Sequence, residues 1–245
     1  EQISYFIFMR RISEQDELAR QKAEFSGEDH KSVFQGHDDC RWDHFRHLEG
    51  DELLNHVRDV VFPWLKEELG QGDNLFARSM KDAAFMIPKG SLMVEMVNTI
   101  DAIYDEIEKE VAEGQQFQDV QGDMYEHFLG AIASAGKNGQ FRTPRHIINL
   151  IIEIVNPQKN EMILDPACGS SGFLISSYKH ILKQNTKTRV GDQLNASDRK
   201  IIGENLVGYD IDPAMTRISL VNMYLHNFSS PNIYAVSYTH LRAHE

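Results

Sequence analysis

The stretch MILDPACGSSGF, residues 162–173, decides how this chain is read. A short apolar run, Met162–Leu164, ends in Asp165 and a Gly/Ser turn follows. From Phe173 to about Leu182 the pattern becomes that of an apolar helix. An acid at a strand tip, a glycine turn and a fresh helix N-terminus together suit a ligand with both anionic and cationic groups. Gly169 lets the backbone approach such a ligand, because any Cβ there would take up the space. The amides around Ser170–Gly172 can donate to a carboxylate with the helix dipole behind them. Asp165 can face an ammonium or a sulfonium. The alternative is a tight strand-to-helix turn with no ligand.

S-adenosylmethionine carries the α-carboxylate, α-amine and sulfonium that this arrangement suits, whereas a dinucleotide offers a pyrophosphate and does not need Asp165. Downstream, NLVGYD (205–210) reads as a second strand ending in Asp210. A carboxylate there can accept both ribose hydroxyls of a nucleoside cofactor. It stands 45 residues beyond Asp165, against about 20 in a dinucleotide unit, and a polar stretch over 183–200 accounts for the excess. Asp212 with Pro213 caps the next helix (214–227), and NIYAV (232–236) reads as a third strand. Alternating strands and helices predict a parallel α/β sheet.

Upstream lies GQFRTPR (139–145), in which Thr143 and Pro144 read as the N-cap and first-turn proline of a helix over 145–155. Before it the character is helical. Apolar residues recur at helical spacing over 52–69, 91–111 and 123–134, with Gly70, Gly72, Pro88, Gly90, Gly114 and Gly122 as punctuation. Residues 25–40 are polar and read as a loop. The opening residues have the look of an amphipathic helix entered partway along. They lack the basic start and small-residue cleavage site of a signal peptide, and there is no initiator Met.

Of the 245 residues 41% are hydrophobic and 25% charged, ordinary for a globular protein and unlike disordered, collagenous or disulfide-scaffold chains. No apolar run reaches the ~18–20 residues of a membrane span. Cys40 and Cys168 allow one bridge at most and read as reduced thiols of a cytoplasmic setting. The net charge of −12 hides an asymmetry: residues 1–130 carry 13 Lys+Arg and 28 Asp+Glu, residues 131–245 carry 12 and 9. The second half can therefore approach a polyanion more easily than the first.

In order, GQFRTPR, DPACGSSG and Gly208-Tyr209-Asp210 resemble the amino-group DNA methyltransferases, and most of all the modification (M) subunits of type I restriction–modification systems. The resemblance is specific over 136–227 and looser over the helical half. It implies an α plus α/β architecture: a helical N-terminal domain over 1–135, then the first part of a Rossmann-like methyltransferase sheet over 136–236. It also implies that Gln140, Phe141, Arg142, Thr143, Pro144, Arg145, Ser170, Ser171, Gly172 and Asp210 contact S-adenosylmethionine, with Asp165 and Gly169 shaping the loop. Ser171 stands where the family usually has Gly. The implied activity is methyl transfer to the exocyclic amine of adenine in DNA. The implied partners are DNA, a specificity subunit, a restriction subunit and a second M subunit.

Family members present the target amine with an [Asn/Asp]-Pro-Pro-[Phe/Tyr] tetrapeptide, whose aromatic stacks on the flipped base. None occurs here: Asn156-Pro157-Gln158 and Ser230-Pro231-Asn232 lack the second proline and the aromatic, so no catalytic residue is assigned. The final SYTHLRAHE (237–245) resembles translated sequencing-adapter sequence and stays outside the fold reading. A stand-alone or fused adenine methyltransferase, or a catalytically incomplete cofactor-binding fragment, fits the same motifs. A nicotinamide oxidoreductase fits less well, for want of Gly-x-Gly-x-x-Gly. His37, Cys40, His44 and His47 cluster, but not at the spacing of a common zinc site. They read as surface histidines around a helix whose buried face is Trp42, Phe45 and Leu48, so no metal is expected. Cys168 reads as a small space-filling residue.

Overall fold

A computed structural model of the chain describes residues 2–67, 75–112, 117–135, 143–228 and 230–236. They fall into two compact units, Glu1–Phe117 and Gln118–Glu245. The GKNGQ loop, Gln140–Arg142 and the 237–245 tail lie outside the described residues.

The first unit is helical: α1 (Gln2–Ser26), α2 (Trp42–Phe45), α3 (Gly50–His56), α4 (Phe62–Glu67), α5 (Leu75–Ser79) and α6 (Gly90–Ala112). A π-helical turn, Val57–Val61, joins α3 to α4 just ahead of Pro63, which has no N–H to offer a regular turn. α1 differs from the amphipathic expectation at its start, where Ser4 through Met9 are all buried. A segment apolar on every side is a core helix. The loop expected over 25–40 is irregular from residue 28 to a 3₁₀ turn, Asp38–Cys40. It is held to α1 by the buried Asp16, which accepts from Ser32 Oγ (2.8 Å), the Val33 N–H (3.1 Å) and Arg41 Nη2 (2.8 Å). Trp42 and Phe45 are fully buried and Leu48 half-buried.

The second unit contains α7 (Phe117–Ala135), α8 (Arg145–Val155), β1 (Ile163–Asp165), α9 (Gly172–Gln184), α10 (Ala196–Asn205), β2 (Leu206–Asp210), α11 (Pro213–Leu225) and β3 (Asn232–Ala235). The sequence boundary stands at 135/136, whereas the structure groups α7 with the sheet. Apolar spacing shows that a helix has a buried face but not which neighbour covers it. The strands are parallel in the order β1-β2-β3, with Asp165 opposite Gly208 and Asp210 opposite Ala235. That order is half of a doubly wound sheet.

Two local readings change. Thr143 is not the N-cap of α8: the cap is Pro144, in extended backbone (φ −56°, ψ 140°), with no side-chain cap bond. The polar stretch 183–200 contains the start of a helix, α10, opened by a reciprocal capping box between Asn195 and Asp198. Asp212 behaves as read, its Oδ1 accepting the Ala214 N–H at 2.8 Å with Pro213 in the first turn.

Candidate cofactor-binding site

β1 ends at Asp165 and the chain turns sharply into α9. The turn needs left-handed backbone twice, at Gly169 (φ 54°) and at Ser171 (φ 66°). Glycine adopts this freely, but serine at Ser171 carries a strain of roughly 1–2 kcal/mol. The structure shows what offsets it. Ser171 is buried, its hydroxyl bonded to the Ser219 hydroxyl of α11 and its N–H donated to the Cys168 carbonyl at 2.7 Å. One turn further along α11, Asn222 donates Nδ2–H to the Ser170 carbonyl at 2.8 Å. The loop is thus braced from behind by a buried polar line on α11.

Asp210 braces it from the neighbouring strand. Its Oδ2 accepts the Gly169 N–H at 2.9 Å and its Oδ1 the Asp212 N–H at 2.8 Å. The Cys168 N–H is donated to the Tyr209 carbonyl at 2.8 Å. Cys168 fills space, as read: it is buried, and burial first, then the nearby Asp165 and Asp210 charges, push its thiol up to about 11. Its room comes from Gly208, where a Cβ would lie 3.0 Å from the Cys168 sulfur and 2.7 Å from Ile233.

In front of the loop is a cleft of about 140 Å³ lined by Thr143, Ile148, Asp165, Ala167, Cys168, Gly169, Ser170, Gly172 and Phe173. Burial, and to a lesser degree the Asp210 charge, hold the Asp165 carboxyl above its ordinary range, against the Ala167 N–H that Asp165 accepts at 3.1 Å. A carboxylate in that state gains from a cationic partner.

The structure therefore brings Thr143, Asp165, Gly169, Ser170 and Gly172 to one cleft, with Asp210 bonded to the loop from the tip of β2. Ser171 faces away from the cleft, and the Ser171 and Gly169 amides are spent within the protein. Arg145 is not brought to this cleft. It lines a second cavity, of about 280 Å³, with Asp123, Asn149, Ile152, Lys179 and Lys183, and pairs with Glu126. The bracing roles of Ser219, Asn222 and Asp210 were not read from the sequence. The available signal is polar residues at helical spacing (Thr216, Ser219, Asn222) inside a largely apolar helix. In the first unit, His37, Asp39 and Cys40 bring one ligand-type atom each within 4.8 Å of one another, while His44 and His47 are exposed.

A parallel sheet with an acid-rimmed glycine turn after β1 and a second acid at the tip of β2 is the pattern of a doubly wound α/β unit, which follows a helical unit along the chain. Comparison with known proteins narrows this. Residues 116–242 match the N-6 DNA methylase family, and the chain belongs to it. Residues 1–100 match the HsdM N-terminal domain.

Among curated relatives, the methylase subunit of the type I restriction enzyme EcoEI from Escherichia coli is 28% identical over 75% of this chain and 36% of its own length. The EcoKI methylase subunit from E. coli strain K12 is 28% identical over 76% of this chain and 34% of its own. The chain thus spans about a third of these relatives. The solved modification subunit of a type I restriction enzyme from Vibrio vulnificus YJ016 superposes with TM-score 0.65 at 20% identity, covering 96% of this chain and 50% of that one. A chain from a type I restriction–modification system, solved for its complex assembly and conformational transition, gives 0.68 at 23%, covering 100% and 47%. These likenesses establish the fold: a helical N-terminal unit followed by part of a methyltransferase α/β unit.

Proposed function

We propose that this chain is the helical and cofactor-binding portion of a type I M subunit, and that its cleft binds S-adenosylmethionine. The observation that carries this is the half-buried Asp165 carboxylate at the rim of a glycine turn pinned by Asp210. The chemistry fits the group: Asp165 meets the ammonium or sulfonium, the start of α9 near Gly172 meets the carboxylate, and Thr143 also lines the cleft. At about 140 Å³ the cleft suits the amino-acid end of such a molecule, being smaller than the ~300–1,000 Å³ of whole-ligand sites. Both Asp210 oxygens already accept a backbone N–H, and each keeps a second lone pair for a ribose hydroxyl. When bound, S-adenosylmethionine supplies an electrophilic methyl group. Presenting an adenine amine to it is the task of the family's tetrapeptide, which lies outside the residues given, so the role proposed for this chain is cofactor binding. DNA, a specificity subunit, a restriction subunit and a second M subunit are the partners of the intact assembly.

Calorimetric titration with S-adenosylmethionine tests the reading. One equivalent should bind, NADH should not compete, and Asp210→Ala should weaken binding about tenfold or more, one factor of ten per 1.4 kcal/mol. No heat with the wild-type chain, or equal heats for the two proteins, overturns it.

A further inference from the structure

At the second cavity, which Asp123 lines, Asp123 and Glu126 of α7 meet His226, which follows α11. Their ligand-type atoms lie within 4.8 Å of one another, but both carboxylates already face cations. Glu126 pairs with Arg145 at the start of α8, and Asp123 with Lys179 of α9. Longer contacts cross between them, Arg145 to Asp123 at 3.7 Å and Lys179 to Glu126 at 3.8 Å. Charge is balanced within this set without a metal, so the cluster reads as an anchor between helices.

Its construction is specific. Gly122 lies flat against the His226 ring, where a Cβ would come within 2.4 Å of Nε2. This close approach carries Glu126, four residues on and on the same helix face, into the interior, leaving its side chain 5% exposed. His226 is buried, and its Nδ1–H points at the Asn222 carbonyl, 2.9 Å away. That leaves Nε2 as a lone-pair acceptor with no hydrogen-bond partner among the described residues. Burial, aided by the Lys179 charge, holds the ring neutral, with its pKa lowered to about 4. A neutral imidazole cannot compensate Glu126, so the buried carboxylate depends on Arg145 and Lys179.

Arg145 is the first residue of α8, two positions after Thr143. Arg145, Asn149 and Ile152 line the second cavity, while Thr143 and Ile148 line the cofactor cleft. Ile148 Cδ1 would lie 3.3 Å from a Cβ at Gly172. The orientation of α8 therefore sets one wall of the cleft.

We propose that Glu126 is a positioning residue for the cofactor cleft. By holding Arg145 it fixes the first turn of α8, and with it Thr143 and Ile148 over the glycine loop. Arg145 then serves the cofactor through Glu126 and not by touching it. The inference rests on the cofactor reading above, and two measurements separate their failures.

The first is a double-mutant cycle on S-adenosylmethionine affinity with Glu126→Gln, Arg145→Gln and the double variant. Each single change should cost about tenfold, and the double no more than either alone, because the two residues act as one unit. Arg145→Lys should recover most of the loss. Additive losses would show that Arg145 contacts the ligand itself, and unchanged affinity in Glu126→Gln would remove the role altogether; either overturns the proposal.

The second needs no ligand. Ile147 and Ile148 donate their amides to the Pro144 carbonyl at 2.9 and 3.1 Å. Hydrogen exchange at these two amides should quicken in Glu126→Gln while amides of α9 keep their wild-type rates. Unchanged exchange there, or uniform quickening across the second unit, overturns the proposal even if the cofactor binds nowhere on the chain.

Discussion

Single side chains in this protein carry roles that their types do not announce. Asp210 was read as a ribose acceptor, yet its visible work is to accept two backbone N–H groups and hold the glycine loop. The distinction is chemical: an acceptor at a strand tip serves whichever donors the fold brings, and parallel register brings Gly169. His226 is another case. Its folded pKa is lowered from the ordinary 6.5 to about 4 by burial, so between these values the unfolded chain binds a proton that the folded one refuses. The sign follows: stability rises with pH across that window and is lost as pH falls from about 6.5 towards 4. The thermal midpoint of the second unit should therefore drop over this range, and His226→Gln should flatten that dependence. A midpoint indifferent to pH in the wild-type chain would show that the ring is not held neutral. Asp16 in the first unit works at lower pH: burial opposes its charge, but Ser32, Arg41 and the Val33 N–H outweigh it and lower its pKa. Its contribution is present above the ordinary aspartate range and lost below it.

Elements of secondary structure were legible to the extent that their signals were local. The helix over 145–155 was read with the observed bounds of α8, and the Asp212-Pro213 start of α11 was read because cap and proline stand next to each other. α10 was missed, since its face is weakly apolar and the polar turn before it dominated the window; Asn195 and Asp198 at capping-box spacing were its one local mark. The bracing of the glycine loop was not legible, because Ser171 and Ser219 are 48 residues apart and only folding brings them together. The same holds for Gly208, read only as part of a motif. Its lack of a side chain is what seats Cys168, Leu174 and Ile233 around β2, with added Cβ distances of 3.0, 3.0 and 2.7 Å. Gly208→Ala overpacks this junction and should cost about 1–3 kcal/mol, read as a lower thermal midpoint with weaker cofactor binding. A fully tolerated alanine would show that the junction can shift.

At the scale of the whole molecule, the charge asymmetry follows the fold. The acidic residues are concentrated in the helical part, and the part bearing the cofactor loop is the less acidic one. The sheet holds one half of a doubly wound order, and Leu164 of β1 is exposed, as are Ile147, Leu150, Ile151, Ile154 and Val155 on α8. The proposed function requires that S-adenosylmethionine bind in the cleft beside the glycine loop. Hydrogen exchange followed by mass spectrometry, with and without S-adenosylmethionine, tests it most directly. Protection should appear in peptides covering 165–173 and 206–212, and those from 2–67 should exchange as before. Protection confined to other segments, or none at saturating cofactor, would show that S-adenosylmethionine does not bind there.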